Sequence, residues 1–229
     1  MFKKIISTTV LGASVLSAMA ASAAAPGIYI GGQFGYADTD MGSKTNFAKF
    51  NLHPADQNNQ NLSNNGLAGR IALGYQFNQN FAVEAGYLQL SNRKVNISED
   101  QVRHDFPLTA GSVKLQQNVV DFVGKGMLPV TDKINLYGKL GLAYITTPIQ
   151  VSAQILNPHA IGPVIVDANV NEMVNVSKHK WAPEAAIGVS YDISSNVNVD
   201  ASWTHIQPLG HNKPGNIDFV AVGVGYNFG

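Results

Sequence analysis

The chain has 229 residues, in which 15 Lys and Arg balance 15 Asp and Glu, and charged residues make up 13% of the total. Ordinary soluble proteins carry about 25% charged residues, so this composition disfavours a free soluble protein, and the zero net charge gives no reason to expect a nucleic-acid partner. Cysteine is absent, which excludes a disulfide framework and thiol chemistry.

The first segment, residues 1–23, is predicted to be a signal peptide. Lys3 and Lys4 give it a positive start, residues 5–18 are mainly apolar, and Ala21-Ser22-Ala23 is a small-residue cleavage site. Cleavage after Ala23 leaves residues 24–229 as a single domain of an exported protein. No run of about 18 apolar residues follows that could form a spanning helix.

Eight later segments alternate apolar residues with small or polar ones at period two, which is typical of strands with two different faces. In chain order they cover 28–36, 67–77, 81–90, a segment ending at 128, a segment starting at 134, 181–193, 197–206 and 217–228. Each is close to the 9–11 residues that a tilted strand needs to cross a bilayer. The sequence therefore predicts an all-β fold, an eight-stranded antiparallel up-and-down transmembrane β-barrel.

The connections between these segments alternate in length. The short ones are residues 78–80, 129–133 and 194–196, and the long ones are 37–66, 91 to about 113, 147–180 and 207–216. Outer-membrane barrels have short periplasmic turns and longer outer loops, so both termini are predicted to be periplasmic. Within the third long connection, 149–155 and 163–166 alternate again and are predicted to extend the barrel wall as a hairpin.

An exported soluble barrel of the lipocalin kind would also alternate, but its outer face would be charged. Here the face opposite the apolar one is mostly Gly, Ala and Ser, which suits the narrow interior of an eight-stranded barrel better than a solvated surface. Aromatic residues lie near both ends of the apolar face, as in the two girdles of a membrane barrel. These predicted interface aromatics are Phe34, Tyr36, Tyr75, Phe77, Phe81, Tyr87, Tyr144, Trp181, Tyr191, Trp203, Tyr226 and Phe228.

The same alternation places seven charged residues inside the barrel, namely Arg70, Glu84, Asp121, Lys125, Lys139, Glu184 and Asp200. Counting from the short turns, Arg70, Asp121 and Glu184 lie near mid-height and the other four lie lower. Charges in a narrow interior must be paired, with Gln76 and Tyr137 as added partners. Two interpretations stay open: a static salt-bridge plug, and a gate in which a switch of ion-pair partners opens a narrow ion path.

No metal site and no cofactor are predicted. Five of the six histidines fall in long connections without ligand spacing, and His205 lies at the outer edge of the seventh segment.

Three segments resemble OmpA-like small outer-membrane barrels. Phe81-Ala82-Val83-Glu84-Ala85-Gly86-Tyr87 is similar to their third strand, Gly124-Lys125-Gly126-Met127-Leu128-Pro129-Val130 to the end of their fourth, and Gly223-Val224-Gly225-Tyr226-Asn227-Phe228 to their last. The resemblance implies that the terminal aromatic is read by the barrel-assembly machinery, although this chain ends one residue later, at Gly229. It does not extend to a peptidoglycan-binding domain, so wall anchoring is not expected.

Three functions follow from these observations as alternatives. The first is a non-enzymatic scaffold in the outer membrane, in contact with lipid and lipopolysaccharide, whose loops meet a host or surface ligand. The second is a narrow porin-like or OmpW-like channel. The third is a lipid A-modifying enzyme, which in known barrels has a His followed two residues later by Ser. Here Gln207 follows His205 at that spacing, and Ser202 lies on the opposite strand face.

Overall fold

The computed structural model describes residues 26–40, 65–98, 108–156, 163–169 and 176–229. In these ranges the strands are β1 (Gly27–Thr39), β2 (Gly66–Gln76), β3 (Phe81–Leu90), β4 (Arg93–Ser98), β5 (Leu108–Leu115), β6 (Asn118–Pro129), β7 (Ile134–Thr146), β8 (Ile149–Leu156), β9 (Pro163–Asn169), β10 (His179–Asp192), β11 (Val197–Ile206) and β12 (Ile217–Asn227). No helix in the same ranges is long and apolar enough to cross a membrane. The predicted signal peptide lies outside the described residues.

Eight of the strands close into one barrel, in the order β1, β12, β11, β10, β7, β6, β3, β2. All neighbouring pairs are antiparallel, including β1 with β12, where Gly31 lies opposite Gly225. Closure pairs the backbone groups of the first and last strands, which a strand must achieve to span lipid. The predicted eight-stranded antiparallel barrel is confirmed, and the predicted strand bounds differ from the observed ones by a few residues.

The two faces of the barrel wall differ sharply in chemistry. Leu140 on the outside is 72% exposed, whereas its neighbour Lys139 on the inside is 6% exposed. This alternation recurs along β2, β3, β6, β7, β10, β11 and β12. The outer face of the wall thus carries large apolar side chains and the buried ionisable side chains face inward, which is the reverse of a soluble barrel.

The three short turns share one local structure. Asn78, Thr131 and Ser194 each present a side-chain oxygen that accepts hydrogen bonds from the backbone N–H groups two and three residues later, at 2.8–3.4 Å. Short polar side chains that bond nearby backbone favour tight turns for this reason. These turns define one end of the barrel, called the turn end below, and the opposite end is called the loop end.

A second sheet lies beyond the loop end and has the order β4, β5, β8, β9. The pairing of β8 with β9 confirms the hairpin predicted in the third long connection. No strand was predicted in the second long connection, 91 to about 113, whereas β4 and β5 form a second hairpin there and β5 pairs with β8. Residues 94–98 and 112–115 do alternate polar with apolar side chains, but over only four or five residues, and pairing with a neighbouring strand decides such short cases more than intrinsic preference. We call these four strands the outer sheet.

Candidate functional site: the barrel interior

Glu84 on β3 is the centre of an ion-pair cluster inside the barrel. Its carboxylate is 2.6 Å from Lys139 Nζ on β7, 3.3 Å from Arg70 Nη1 on β2 and 3.5 Å from Lys125 Nζ on β6. The Tyr29 hydroxyl on β1 donates a fourth contact to Glu84 Oε1 at 2.9 Å. Five strands are therefore tied together through one side chain that is 3% exposed.

Arg70 joins this cluster to Asp121 on β6. Its Nη2 and Nε donate to the two oxygens of Asp121 at 2.6 and 3.1 Å, a bidentate geometry that gives strong, directional pairs. Gly86 on β3 makes room for the pair, because a Cβ at that position would lie 2.5 Å from Arg70 Nη2 and 2.6 Å from Asp121 Oδ2. A glycine on β3 thus leaves the space that the ion pair between β2 and β6 occupies.

The remaining two carboxylates of the predicted set, Asp200 and Glu184, are in no ion pair among the described residues. Asp200 Oδ1 accepts hydrogen bonds from Gln33 Nε2 at 2.6 Å and from the Tyr137 hydroxyl at 3.0 Å. Glu184 Oε2 is buried without a hydrogen-bond partner in the described part of the chain. The structure therefore joins five of the seven residues by ion pairs, Arg70, Glu84, Asp121, Lys125 and Lys139, across the two levels that the sequence distinguished.

Two small polar cavities occupy the half of the interior nearest the turn end. One, of about 40 Å³, lies within the charged cluster, and the other, of about 50 Å³, lies among the polar side chains at the turn end. Tyr29, Lys125 and Asn198 line both, and Lys125 Nζ also lies 4.6 Å from the centre of the Tyr137 ring. Both cavities are polar and large enough for a water molecule.

Above the charged cluster the interior becomes apolar. The larger side chains of this layer are at most 2% exposed. The layer consists of Ala37, Ala68, Leu88, Leu90, Val119, Ala143, Ile145, Ala182, Ile206, Ile217, Phe219 and Ala221. These residues lie in the halves of their strands nearest the loop end, so the interior has a charged layer below and an apolar layer above.

The predicted interface aromatics all lie on the outside of the barrel. Near the turn end, the Tyr75 and Phe77 rings are 5.2 Å apart and those of Tyr226 and Phe228 are 4.9 Å apart. The predicted residues found on this face are Phe34, Tyr36, Tyr75, Phe77, Phe81, Tyr87, Tyr144, Trp181, Tyr191, Trp203, Tyr226 and Phe228, and Phe122 lies there as well. They lie near both ends of the strands, and their location at the two headgroup levels of a bilayer stays a prediction.

His205 faces outward near the loop end. Its Nδ1 lies 2.8 Å from Asp218 Oδ1, and Trp203 Nε1 donates to the same oxygen at 3.0 Å. Ser202 points inward, where it accepts from Gln33, so it is not placed as a nucleophile for His205. In the part of the chain that the structure describes, no three His, Asp or Glu side chains are grouped to hold a metal ion.

Several partners in the interior were not predicted from the sequence. Tyr29 and Gln33 lie on the inner face of β1 and bond to Glu84 and Asp200, yet an uncharged side chain in an alternating strand gives no sign of its partner. The apolar layer did leave a signal. Leu88 and Leu90 follow Glu84 and Gly86 at the same two-residue spacing, so the inner face of β3 visibly changes from polar to apolar.

A closed barrel with an apolar outer face, aromatic ends and an ion-paired interior defines a small transmembrane β-barrel protein. The chain belongs to the family described as the outer membrane protein beta-barrel domain, whose model matches residues 8–228. An uncharacterised protein of Coxiella burnetii (strain RSA 493 / Nine Mile phase I) is 31% identical over 215 residues, which cover 88% of this chain and 85% of the relative.

A solved structure shares the fold at low sequence identity. The chain is similar to Neisserial surface protein A, with a TM-score of 0.52 and 14% identity over 88% of this chain and 97% of that one. The outer membrane protein OprG of Pseudomonas aeruginosa gives a TM-score of 0.49 and 15% identity, over 90% and 98% of the two chains. At these identities the likeness concerns the fold alone.

Proposed function

We propose that this protein is a non-enzymatic scaffold of the outer membrane, exported with a cleaved N-terminal signal peptide. Its barrel is a closed, rigid frame, and its outer sheet and loops form the contact surface. The apolar layer carries this proposal. Side chains such as Ile145, Ile217 and Phe219 have no exposed surface, and a water-filled path for ions would have to pass between them.

The ion-paired layer supports the same role. Because Glu84 contacts side chains from four other strands, separating any of these strands would leave a charge unpaired at low dielectric, which is costly. A frame held in this way keeps the outer sheet in a fixed position. Functional residues are often carried on such loops above a rigid scaffold.

The partners follow from this position. The outer face contacts membrane lipid and lipopolysaccharide. The segment for the barrel-assembly machinery is β12 with the aromatic Phe228 that follows it, and the loops are available to a host or surface ligand. A non-enzymatic role is supported by His205, whose hydrogen-bond partner among the described residues is Asp218 and not a serine or threonine hydroxyl.

A narrow channel is the second candidate, and the polar cavities in the turn half favour it. Lys125 is the least buried of the three interior cations, with 17% of its side chain exposed, and its 3.5 Å contact with Glu84 is the longest in the cluster. If it exchanged Glu84 for another carboxylate, the polar half could rearrange. A complete path would also need the apolar layer to open.

Single-channel conductance of the refolded chain 24–229 in a planar bilayer separates the two candidates. The scaffold predicts a silent bilayer for the wild type and for Lys139→Ala, with heat-modifiable gel mobility as proof of folding. Lys133→Ala, in an exposed turn, is the control for loss of one lysine. Reproducible openings in the wild type that change in Lys139→Ala but not in Lys133→Ala would refute the scaffold and establish a gated pore.

A further inference from the structure

Two lysines lie directly opposite each other in the outer sheet. Lys94 on β4 pairs in register with Lys114 on β5, and the same row continues with Gln150 on β8 and Asn169 on β9. Residues in one cross-strand row share a face. Like charges directly opposite each other destabilise a sheet, so this pair needs a reason other than the stability of the sheet.

The row faces away from the barrel axis. Along β5 and β6 every odd-numbered residue from Val113 to Val123 is buried, including Gln117 at the junction between the two strands. Lys125, the next odd-numbered residue, is partly exposed. The even-numbered residues between them, including Lys114, therefore face outward. They lie on the same side of the wall as Val120, which is 54% exposed and faces lipid nearer the middle of the barrel. The lysine row and the lipid-facing wall belong to one surface.

The height of the row places it beside the polar layer of the membrane. Lys114 lies six residues beyond Val120, which corresponds to about 20 Å along a strand and roughly 15 Å along the membrane normal for a tilt near 40°. Tyr144 pairs in register with Val120, and its ring is 5.0 Å from that of Trp181, so these aromatic residues mark the headgroup level near Val120 and the lysine row lies above it. The nearest neighbours of an outward side chain at this height are the sugar and phosphate groups of the outer leaflet.

The opposite wall of the barrel carries negative charge at the loop end. Asp38 on β1 pairs in register with Asp218 on β12, and both lie on the outward side at the loop end. Within the outer sheet the outward face bears one carboxylate in the described residues, Asp167, in the row beyond the lysines. An anionic lipid would thus meet attraction at Lys94 and Lys114 and repulsion at the aspartate pair.

From this arrangement we propose that the outward face of the outer sheet, centred on Lys94 and Lys114, is a binding site for the phosphate groups of outer-leaflet glycolipid. The inference rests on the proposed outer-membrane position and names the lipid-binding surface within it. Edge strands commonly carry lysine to prevent pairing with other sheets. That explanation applies to Lys94, but β5 is paired on both sides, so it does not account for Lys114.

The test measures binding of phosphorylated lipopolysaccharide to the refolded chain 24–229 in phosphatidylcholine nanodiscs, with the same lipopolysaccharide after chemical dephosphorylation as the second probe. K94Q/K114Q removes both lysine charges, K114Q removes one, and K133Q at the turn end is the matched single-charge control. With each lysine near an anionic lipid surface contributing about fivefold, K114Q should weaken binding about fivefold and the double variant about thirtyfold. K133Q should bind like the wild type.

Dephosphorylated lipopolysaccharide should bind weakly and equally to the wild type and to K94Q/K114Q. Binding of the phosphorylated form by K94Q/K114Q within twofold of the wild type would overturn the proposal. An equal loss with both probes would overturn it as well, since the lysines would then not be reading phosphate. Conductance of the same preparations reports separately on the scaffold, so a failure of the lipid site is distinguishable from a failure of the closed barrel.

Discussion

Replacing Glu84 with Gln tests the central claim about the interior. The substitution keeps the size of the side chain but removes the charge that faces Lys139 at 2.6 Å, Arg70 at 3.3 Å and Lys125 at 3.5 Å. Arg70 keeps its bidentate partner Asp121, whereas Lys139, which is 6% exposed, loses its ion-pair partner among the described residues. Removing one partner of a buried pair costs about 3–5 kcal/mol, and Glu84→Gln should lower the free energy of unfolding by about that amount.

The assay is equilibrium urea unfolding of the refolded chain 24–229 in lipid vesicles, followed by tryptophan fluorescence and by heat-modifiable gel mobility. Asp132→Asn makes the same chemical change at an exposed turn and should leave the free energy of unfolding within about 0.5 kcal/mol of the wild type. Lys139→Met alone and combined with Glu84→Gln completes a double-mutant cycle, with an expected coupling of about 1–3 kcal/mol. A loss below about 1 kcal/mol for Glu84→Gln would refute the reasoning, because the lysines would then be solvated through the turn-end cavities.

Two further predictions concern space and membrane level. Gly86→Ala should push apart the ion pair between Arg70 and Asp121 and lower the free energy of unfolding by about 1–3 kcal/mol. Gly126→Ala, with open space around its Cβ, should change the free energy of unfolding little. The same urea titration measures both variants, and equal effects would contradict the packing argument. Trp181 and Trp203 are the two tryptophans of the chain, and both face outward, so brominated lipids should quench their fluorescence most when the bromines lie near the headgroups. Maximal quenching by bromines near the acyl-chain ends would place this end of the barrel at the wrong depth.

The barrel strands could be predicted from sequence because the two-residue period of a strand translates directly into its two faces. Leu140 and Lys139 are neighbours with opposite environments, and nothing beyond the alternation is needed to assign them. The outer sheet was only half predicted. The hairpin of β8 and β9 was predicted, whereas β4 and β5 were not, although each carries a short alternating pattern. The pairing of β5 with β8 joins two separate connections, and no local pattern contains it.

The partners within the interior are the part that sequence could not provide. Alternation predicts that Glu84, Lys139 and Arg70 share the lumen, but which of them touch depends on the stagger of strands around the barrel and on side-chain length. Glu84 reaches cations at both predicted levels, so the division into two levels did not determine the pairing. The need for glycine at position 86 could not be predicted either, because it is explained only by the ion pair that Arg70 and Asp121 form between two other strands.

The two-layer interior bears on the choice between scaffold and gate. An exchange of partners at Lys125 or Lys139 changes charges only in the turn half, because the apolar layer from Leu88 to Phe219 contains no group that responds to it. Opening that layer would expose buried apolar surface at about 25 cal/mol for each Å², a cost that no rearranged ion pair offsets directly. A gate driven by the charges alone would therefore open half of the interior and leave the other half shut, so the proposed channel would also need a change in the apolar layer itself.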